Sequence, residues 1–303
     1  MDKLLYFSEI DGICIERMQR IGKFDMNIKH FHNQYEIFYL LEGERQFFFD
    51  NRSYKVNSGS LILVNENAIH MTRASSNDEI GHDRIILYIT KEKMKELDAL
   101  FPNTNLVKFF REQYGVFHLT PQQQKQFLEF YEALKAEFDN KDANSDTMIA
   151  LKVVMYFIEF MRKNQAHKLI DVASNISPKY KTIYAVSDYI SEHYTESLSL
   201  ESLANHFFLS KYYLCRSFKE VTGYGINEYV HIHRIQKAKQ LLEETSLSIS
   251  EISQAMGYES LTHFDKIFKT YMTMSPLKYR KTLNIVTYTN DIPVSSSLLI
   301  HQS

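Results

Sequence analysis

Two stretches decide the reading of this chain. The first is Leu198-Ser-Leu-Glu-Ser-Leu-Ala-Asn-His-Phe-Phe-Leu-Ser-Lys-Tyr-Tyr-Leu-Cys-Arg-Ser-Phe-Lys219. The second is Leu247-Ser-Ile-Ser-Glu-Ile-Ser-Gln-Ala-Met-Gly-Tyr-Glu-Ser-Leu-Thr-His-Phe-Asp-Lys-Ile-Phe-Lys269. Leu198 matches Leu247, Leu203 matches Ile252, Leu214 matches Phe264, Arg216 matches Lys266, and Phe218-Lys219 matches Phe268-Lys269. A repeat at about this period is one supersecondary unit used twice. Ser199 and Ser248 stand at helix-cap positions, and Ser248-Ile-Ser-Glu251 has the spacing of a capping box. A short break follows, with Gly257 in the second copy, and Ser210 caps the next helix of the first. Leu214 and Phe218, then Phe264 and Phe268, repeat at i, i+4 as apolar anchors. Two short helices around a tight turn form a helix-turn-helix, whose second helix can enter the DNA major groove.

Around this repeat lie further motifs. They are Arg234-x-x-x-Ala238-x-x-Leu241-Leu242, Ile252 with Gly257-Tyr258, Phe264-x-Lys266-x-Phe268-Lys269, and Ser275-Pro276-x-x-Tyr279-Arg280. With them, the last third of the chain resembles the AraC family of bacterial transcription regulators. The departures are Phe208 where the first motif usually has Gly, Ser253 where Ala is usual, Asp265 at a small polar position, and Thr273 in place of the Gly before Ser-Pro. A carboxylate at Asp265 is repelled by phosphate.

The outward residues of the first recognition helix are Lys211, Tyr212, Cys215, Arg216 and Lys219, and those of the second are Ser260, Thr262, His263, Lys266 and Lys269. The resemblance implies that these face DNA, with Tyr212, Cys215 and Arg216 toward the groove. Arg216 can fork onto guanine O6 and N7 or clamp a phosphate. A connecting helix over about 227–244 would set the two recognition helices for successive major grooves.

The N-terminal part has a strand rhythm at Ile13–Met18, Tyr35–Leu41, Arg45–Phe49, Ser60–Val64 and Arg84–Ile89, with a tight hairpin at Asp50-Asn51. Many short strands punctuated in this way suggest a barrel or jelly roll. His30-Phe-His32-x-x-x-Glu36, Gly43, Gly59 and His70 resemble the cupin pattern, with Ser60 and Asn65 departing from it. AraC-type regulators commonly carry such a domain first. His30, His32, Glu36 and His70 form either a polar ligand pocket or a site suited to a divalent transition metal. Tyr39, Arg45, Phe47 and Phe49 are candidate pocket walls beside them.

Helices are expected from Thr90 to Phe101 and after the capping box Thr120-Pro121-Gln-Gln123, the latter carrying Phe127, Tyr131, Leu134 and Phe138. Residues 106–119 allow more than one reading. The next helix has two apolar stripes: Met148, Leu151, Met155 and Ile158, and Ala150, Val154, Phe157 and Met161. One stripe is covered by its own domain; the other suits a second subunit, as the resemblance also implies.

The expected fold class is therefore α+β multidomain: a cupin-like ligand-sensing barrel (1–120), a helical dimerisation segment (121–165), a linker (166–179), an all-α double helix-turn-helix domain (180–283) and a tail (284–303). Residues 179–281 carry 13 Lys/Arg against 11 Asp/Glu, so the DNA argument rests on the motifs rather than on a global field. The two cysteines, Cys14 and Cys215, fall in different domains, which disfavours a disulfide framework and favours a reducing cytoplasm. No apolar run is long enough to span a bilayer.

The expected function is a homodimeric regulator that binds promoter DNA and responds to a small-molecule effector, of which a carbohydrate or related metabolite is the class implied by the family. A cupin-type metal-dependent enzyme or metal sensor joined to a DNA-binding module is the alternative. It needs metal at His30, His32, Glu36 and His70, and no nucleophile–base constellation accompanies them.

Overall fold

The computed structural model describes residues 2–22, 34–49, 51–66, 68–74, 81–164 and 177–286, the last three by backbone only. The chain divides into two compact units. One comprises Met1–Asp188 and Phe207–Gly225, the other Tyr189–His206 and Ile226–Ser303.

The first unit is built on two sheets. Strands β1 (Lys3–Ile10), β2 (Ile13–Ile21), β3 (Gln34–Glu42), β6 (Ser60–Val64), β8 (Gly81–Thr90) and β9 (Gly115–His118) form one, in the order β1-β2-β8-β3-β6-β9. Strands β4 (Glu44–Phe49), β5 (Arg52–Asn57) and β7 (His70–Ala74) form the other, in the order β5-β4-β7. The β4–β5 register closes with Phe49 opposite Arg52, the two-residue hairpin expected from Asp50-Asn51, and Asn51 has φ 57°.

Strand alternation sorts the side chains. Phe38, Leu40, Ile62, Val64 and Ile86 of the larger sheet meet Phe47, Phe49 and Val56 of the smaller in one core. Tyr35, Ile37, Tyr39, Leu61, Leu63, Ile85 and Leu87 point the other way, into a second core closed by helices. These are α1 (Lys91–Leu100), α2 (Leu106–Glu112), α3 (Pro121–Asn140) and α4 (Ser145–Asn164).

The expected caps form: Thr90 Oγ1 accepts from the Lys93 amide, and Thr120 with Gln123 makes a capping box. The ambiguous 106–119 stretch becomes α2 and β9. On α4, Ala150, Val153, Val154 and Phe157 are buried in the unit's own core, whereas Met148 is 41% and Met155 60% exposed. The first half of α5 (Pro178–His193) and all of α7 (Lys211–Thr222) also belong to this unit.

The second unit holds the end of α5 with α6 (Leu200–His206), α8 (Ile226–Glu244), α9 (Ile249–Ala255), α10 (Leu261–Met272) and α11 (Pro276–Val286). Arg234 on α8 fastens it. Its Nε donates to the Tyr194 carbonyl at 2.6 Å and its Nη2 to the Glu196 carbonyl at 2.8 Å, with the guanidinium 5.2 Å from the Tyr258 ring centroid. Gly257, at φ 71°, lies where a Cβ would strike the Thr195 carbonyl, which gives that glycine its reason. Among the described residues, no helix is long and apolar enough to cross a membrane. Helix α11 runs past 283, where the tail was expected to begin; the rest of that tail and residues 165–176 of the linker region lie outside the described residues.

Candidate nucleic-acid interface and ligand chamber

Helix α7 begins at Ser210, whose Oγ accepts from the Tyr213 amide, and ends at Gly223 with φ 79°. Leu214, Ser217, Phe218 and Val221 are buried, and this fixes which side is exposed. Lys211, Tyr212, Cys215, Arg216 and Lys219 are all exposed on it, as the sequence pattern requires. Helix α10 repeats the design. Ser260 Oγ accepts from the His263 amide, Phe264 and Phe268 are buried, and Thr262, His263, Lys266 and Lys269 are exposed. Ser260 is exposed but serves first as the cap, which the sequence reading had placed only among the outward residues. Asp265 is half-buried beside that face.

The core between the two sheets, the chamber where the ligand is expected, holds the charged residues named from sequence. Glu36 and His70 meet there, both nearly fully buried. His70 Nδ1 lies 2.9 Å from the Ala68 carbonyl and Nε2 lies 3.4 Å from Glu36 Oε2. Burial works against the imidazolium, but the adjacent Glu36 carboxylate and the Ala68 carbonyl outweigh it and hold the His70 pKa above its ordinary value.

Arg45 is fully buried, with its Nε donating to Thr72 Oγ1 at 3.1 Å. Burial, with the guanidinium groups of Arg45, Arg84 and Arg20 around it, pushes His82 down to about 3. Arg84 pairs with Glu16 at 2.8 Å. Tyr88, opposite Glu36 in the β3–β8 register, is half-buried against this core, and loss of solvent around its phenol raises the pKa well above the usual range. Phe47 and Phe49 line this core as expected. Tyr39 does not: its ring stacks on Phe127 of α3 at 4.3 Å, on the opposite face of β3 from Glu36. This corrects its expected role as a chamber wall. The reason is the two-residue strand period, which separates position 39 from 36 and 38.

His30 and His32 lie outside the described residues. Among the described residues no group of three or more His, Cys, Asp or Glu side chains is placed to hold a metal ion. Glu36 and His70 alone supply two donors, fewer than the three protein ligands of a catalytic zinc-type site. Glu16, Thr72, His82, Arg84 and Tyr88 have no local signal in the sequence, since only the β2–β8, β3–β8 and β4–β7 pairings bring them to Glu36 and Arg45.

The smaller sheet's outer face carries α5 and α7. Arg52 pairs with Asp188 through two 3.0 Å contacts, and the Ser53 amide donates to Tyr184 Oη at 3.1 Å. Tyr224, two residues past α7 and fully buried, donates its hydroxyl to the His70 carbonyl at 2.7 Å and sets its ring edge-on to Phe48 at 5.9 Å. A Cβ on Gly223 would overlap the Met71 side chain.

The two-sheet N-terminal domain and the C-terminal helices each match a known family. The AraC-like ligand binding domain profile matches residues 22–153 and the helix-turn-helix domain profile residues 203–282. The chain belongs to the AraC family of transcriptional regulators. It is 34% identical to the regulatory protein PocR of Salmonella typhimurium over 96 residues, 32% of each protein, so that match spans about a third of the relative. It is 23% identical to the transcriptional activator RhaS of Citrobacter koseri over 84% of this chain and 87% of that one. Among solved structures, ToxT of Vibrio cholerae aligns at 18% identity and TM-score 0.35, covering 89% of this chain and 97% of that one.

Proposed function

We propose that the protein is a homodimeric, effector-responsive regulator that binds promoter DNA in the cytoplasm through the exposed faces of α7 and α10. The observation that carries this is the pair of serine-capped helices, each with its apolar anchors buried and its basic side exposed. Arg216 reads a base, and Lys219 and Lys269 neutralise phosphates.

The effector is a carbohydrate or related polar metabolite. It is bound between the sheets by Glu36, Arg45 and His70 against Phe47 and Phe49, with His30 and His32 as further contributors. Charged hydrogen-bonding groups among aromatic walls suit such a ligand. Residues 1–120 serve as sensor, 121–165 as dimer segment, 166–179 as linker and 180–283 as DNA-binding domain.

Dimerisation uses α4. Exposed Met148 and Met155 lie on it, beside a groove lined by Phe130 and Tyr156 and flanked by Glu129, Lys152, Glu159 and Lys163. An apolar strip edged by both charge signs is self-complementary, as a two-fold interface requires.

Signalling runs through His70. Its side chain faces the chamber and its carbonyl holds Tyr224 at the end of α7. An effector that displaces His70 from Glu36 shifts the population of α7 positions. The test is a thermal-shift panel of sugars, sugar phosphates and divalent metals on the full chain, followed by duplex binding with each compound that stabilises it. A ligand at about 100-fold over its Kd adds roughly 2.7 kcal/mol of stability. A sugar that raises the unfolding temperature and changes duplex affinity is expected; stabilisation with no change in duplex affinity contradicts the sensor reading.

A further inference from the structure

The turn before α7 contains an aromatic residue in an unfavourable place. Phe208 has φ 55°, the left-handed region that glycine and asparagine occupy readily and bulky residues avoid. Its side chain is also 96% exposed, so packing against the described residues does not repay the conformation.

The chain supplies its own control. In the second repeat the corresponding turn position, counted from Leu203 and Ile252, is Gly257 at φ 71°. The backbone geometry thus asks for glycine in both copies, and only the first carries a large apolar ring. Tyr212, 75% exposed, and Tyr213, 41% exposed, stand in the first turn of the helix that follows. Strain and an exposed ring at one position indicate a role outside the folded monomer.

We infer that Phe208 is a specificity-determining residue: its ring packs against the 5-methyl group of a thymine in the major groove, beside the base-reading face of α7. The inference rests on the DNA-binding reading. Thymine is the one base that offers an apolar methyl in that groove, and phenylalanine is among the side chains that contact it.

The test uses the full chain and a duplex selected from a randomised pool by the wild type, with Phe208→Gly, Phe208→Asn and Arg216→Ala alongside. Both Phe208 variants should keep or raise the unfolding temperature, because the new residue fits the turn. Both should bind the duplex about tenfold more weakly, with an unchanged slope of log affinity against log salt, since no phosphate contact is removed. Replacing thymine by deoxyuridine one position at a time should weaken the wild type at one site and leave Phe208→Gly indifferent there.

Affinity within twofold of wild type overturns the inference, as does a lowered unfolding temperature in both variants, which makes Phe208 structural. Weaker binding with no deoxyuridine-sensitive position overturns the thymine assignment. Normal duplex affinity with lost promoter regulation assigns the ring to a protein partner and overturns it as well. If the wild type selects no duplex from the pool, the DNA-binding reading itself fails.

Discussion

The Tyr224 hydroxyl donates to the backbone carbonyl of His70 at 2.7 Å, while the imidazole of that same His70 lies 3.4 Å from Glu36 between the sheets. One residue thus touches the chamber with its side chain and the end of α7 with its backbone. Tyr224 is fully buried, so the bond is not shared with solvent. Tyr224→Phe removes this buried hydrogen bond and should destabilise the protein by about 0.5–1.5 kcal/mol in thermal or denaturant unfolding. Loss of the exposed Arg52–Asp188 pair, by Asp188→Asn, should move stability by less than about 1 kcal/mol.

The two buried histidines give opposite pH dependences. His70 has a raised pKa, so its pairing with Glu36 stabilises the fold below the ordinary imidazole range and fades as pH rises through the folded-state value. His82, pushed down to about 3, stays neutral when folded and takes up a proton when unfolded. Stability therefore falls as pH drops below about 6.5. Between pH 6.5 and 5 the wild type should lose about 1.5 kcal/mol more than His82→Gln, measured by denaturant unfolding. Equal losses would mean that His82 titrates in the fold as it does in the unfolded chain.

Arg234 answers two carbonyls and covers Tyr258. Arg234→Ala should destabilise the second unit by about 3 kcal/mol, since two charged hydrogen bonds and the cover over Tyr258 are lost. Arg234→Lys should recover only part, because one ammonium cannot reproduce the fork. Calorimetry resolves the effect if the units unfold separately.

Thr273 closes α10 at φ 59°, a left-handed position held by a β-branched residue. Thr273→Gly should raise stability by roughly 0.5–1 kcal/mol, the relieved conformational penalty less the added chain entropy. A fall in the unfolding midpoint would show that the threonine side chain contributes contacts there.

Much of this was legible in the sequence where the signal is local. The caps Ser210, Ser248 and Thr120, the hairpin at Asn51 and the anchors Leu214, Phe218, Phe264 and Phe268 follow from spacing over a few residues, and all form. Glu36 and His70 could be named from a pattern. Their meeting depends on strands far apart in the chain. Tyr39 was misplaced because three positions along a strand reverse the face. Strand β1 escaped because, as an edge strand with Leu4, Leu5 and Phe7 exposed, it carries little buried alternation. Tyr224 had no local signal, since its partner is a carbonyl 154 residues away.

The most direct test of the account is a double-mutant cycle read in DNA affinity. The full chain, Glu36→Gln, Tyr224→Phe and the double variant are titrated against one selected duplex. If the chamber acts on α7 through His70 and Tyr224, Glu36→Gln should change affinity at least threefold in the wild-type background and have little effect once Tyr224 is phenylalanine, a coupling above about 0.5 kcal/mol. An affinity unmoved by Glu36→Gln, or moved equally in both backgrounds, would contradict it.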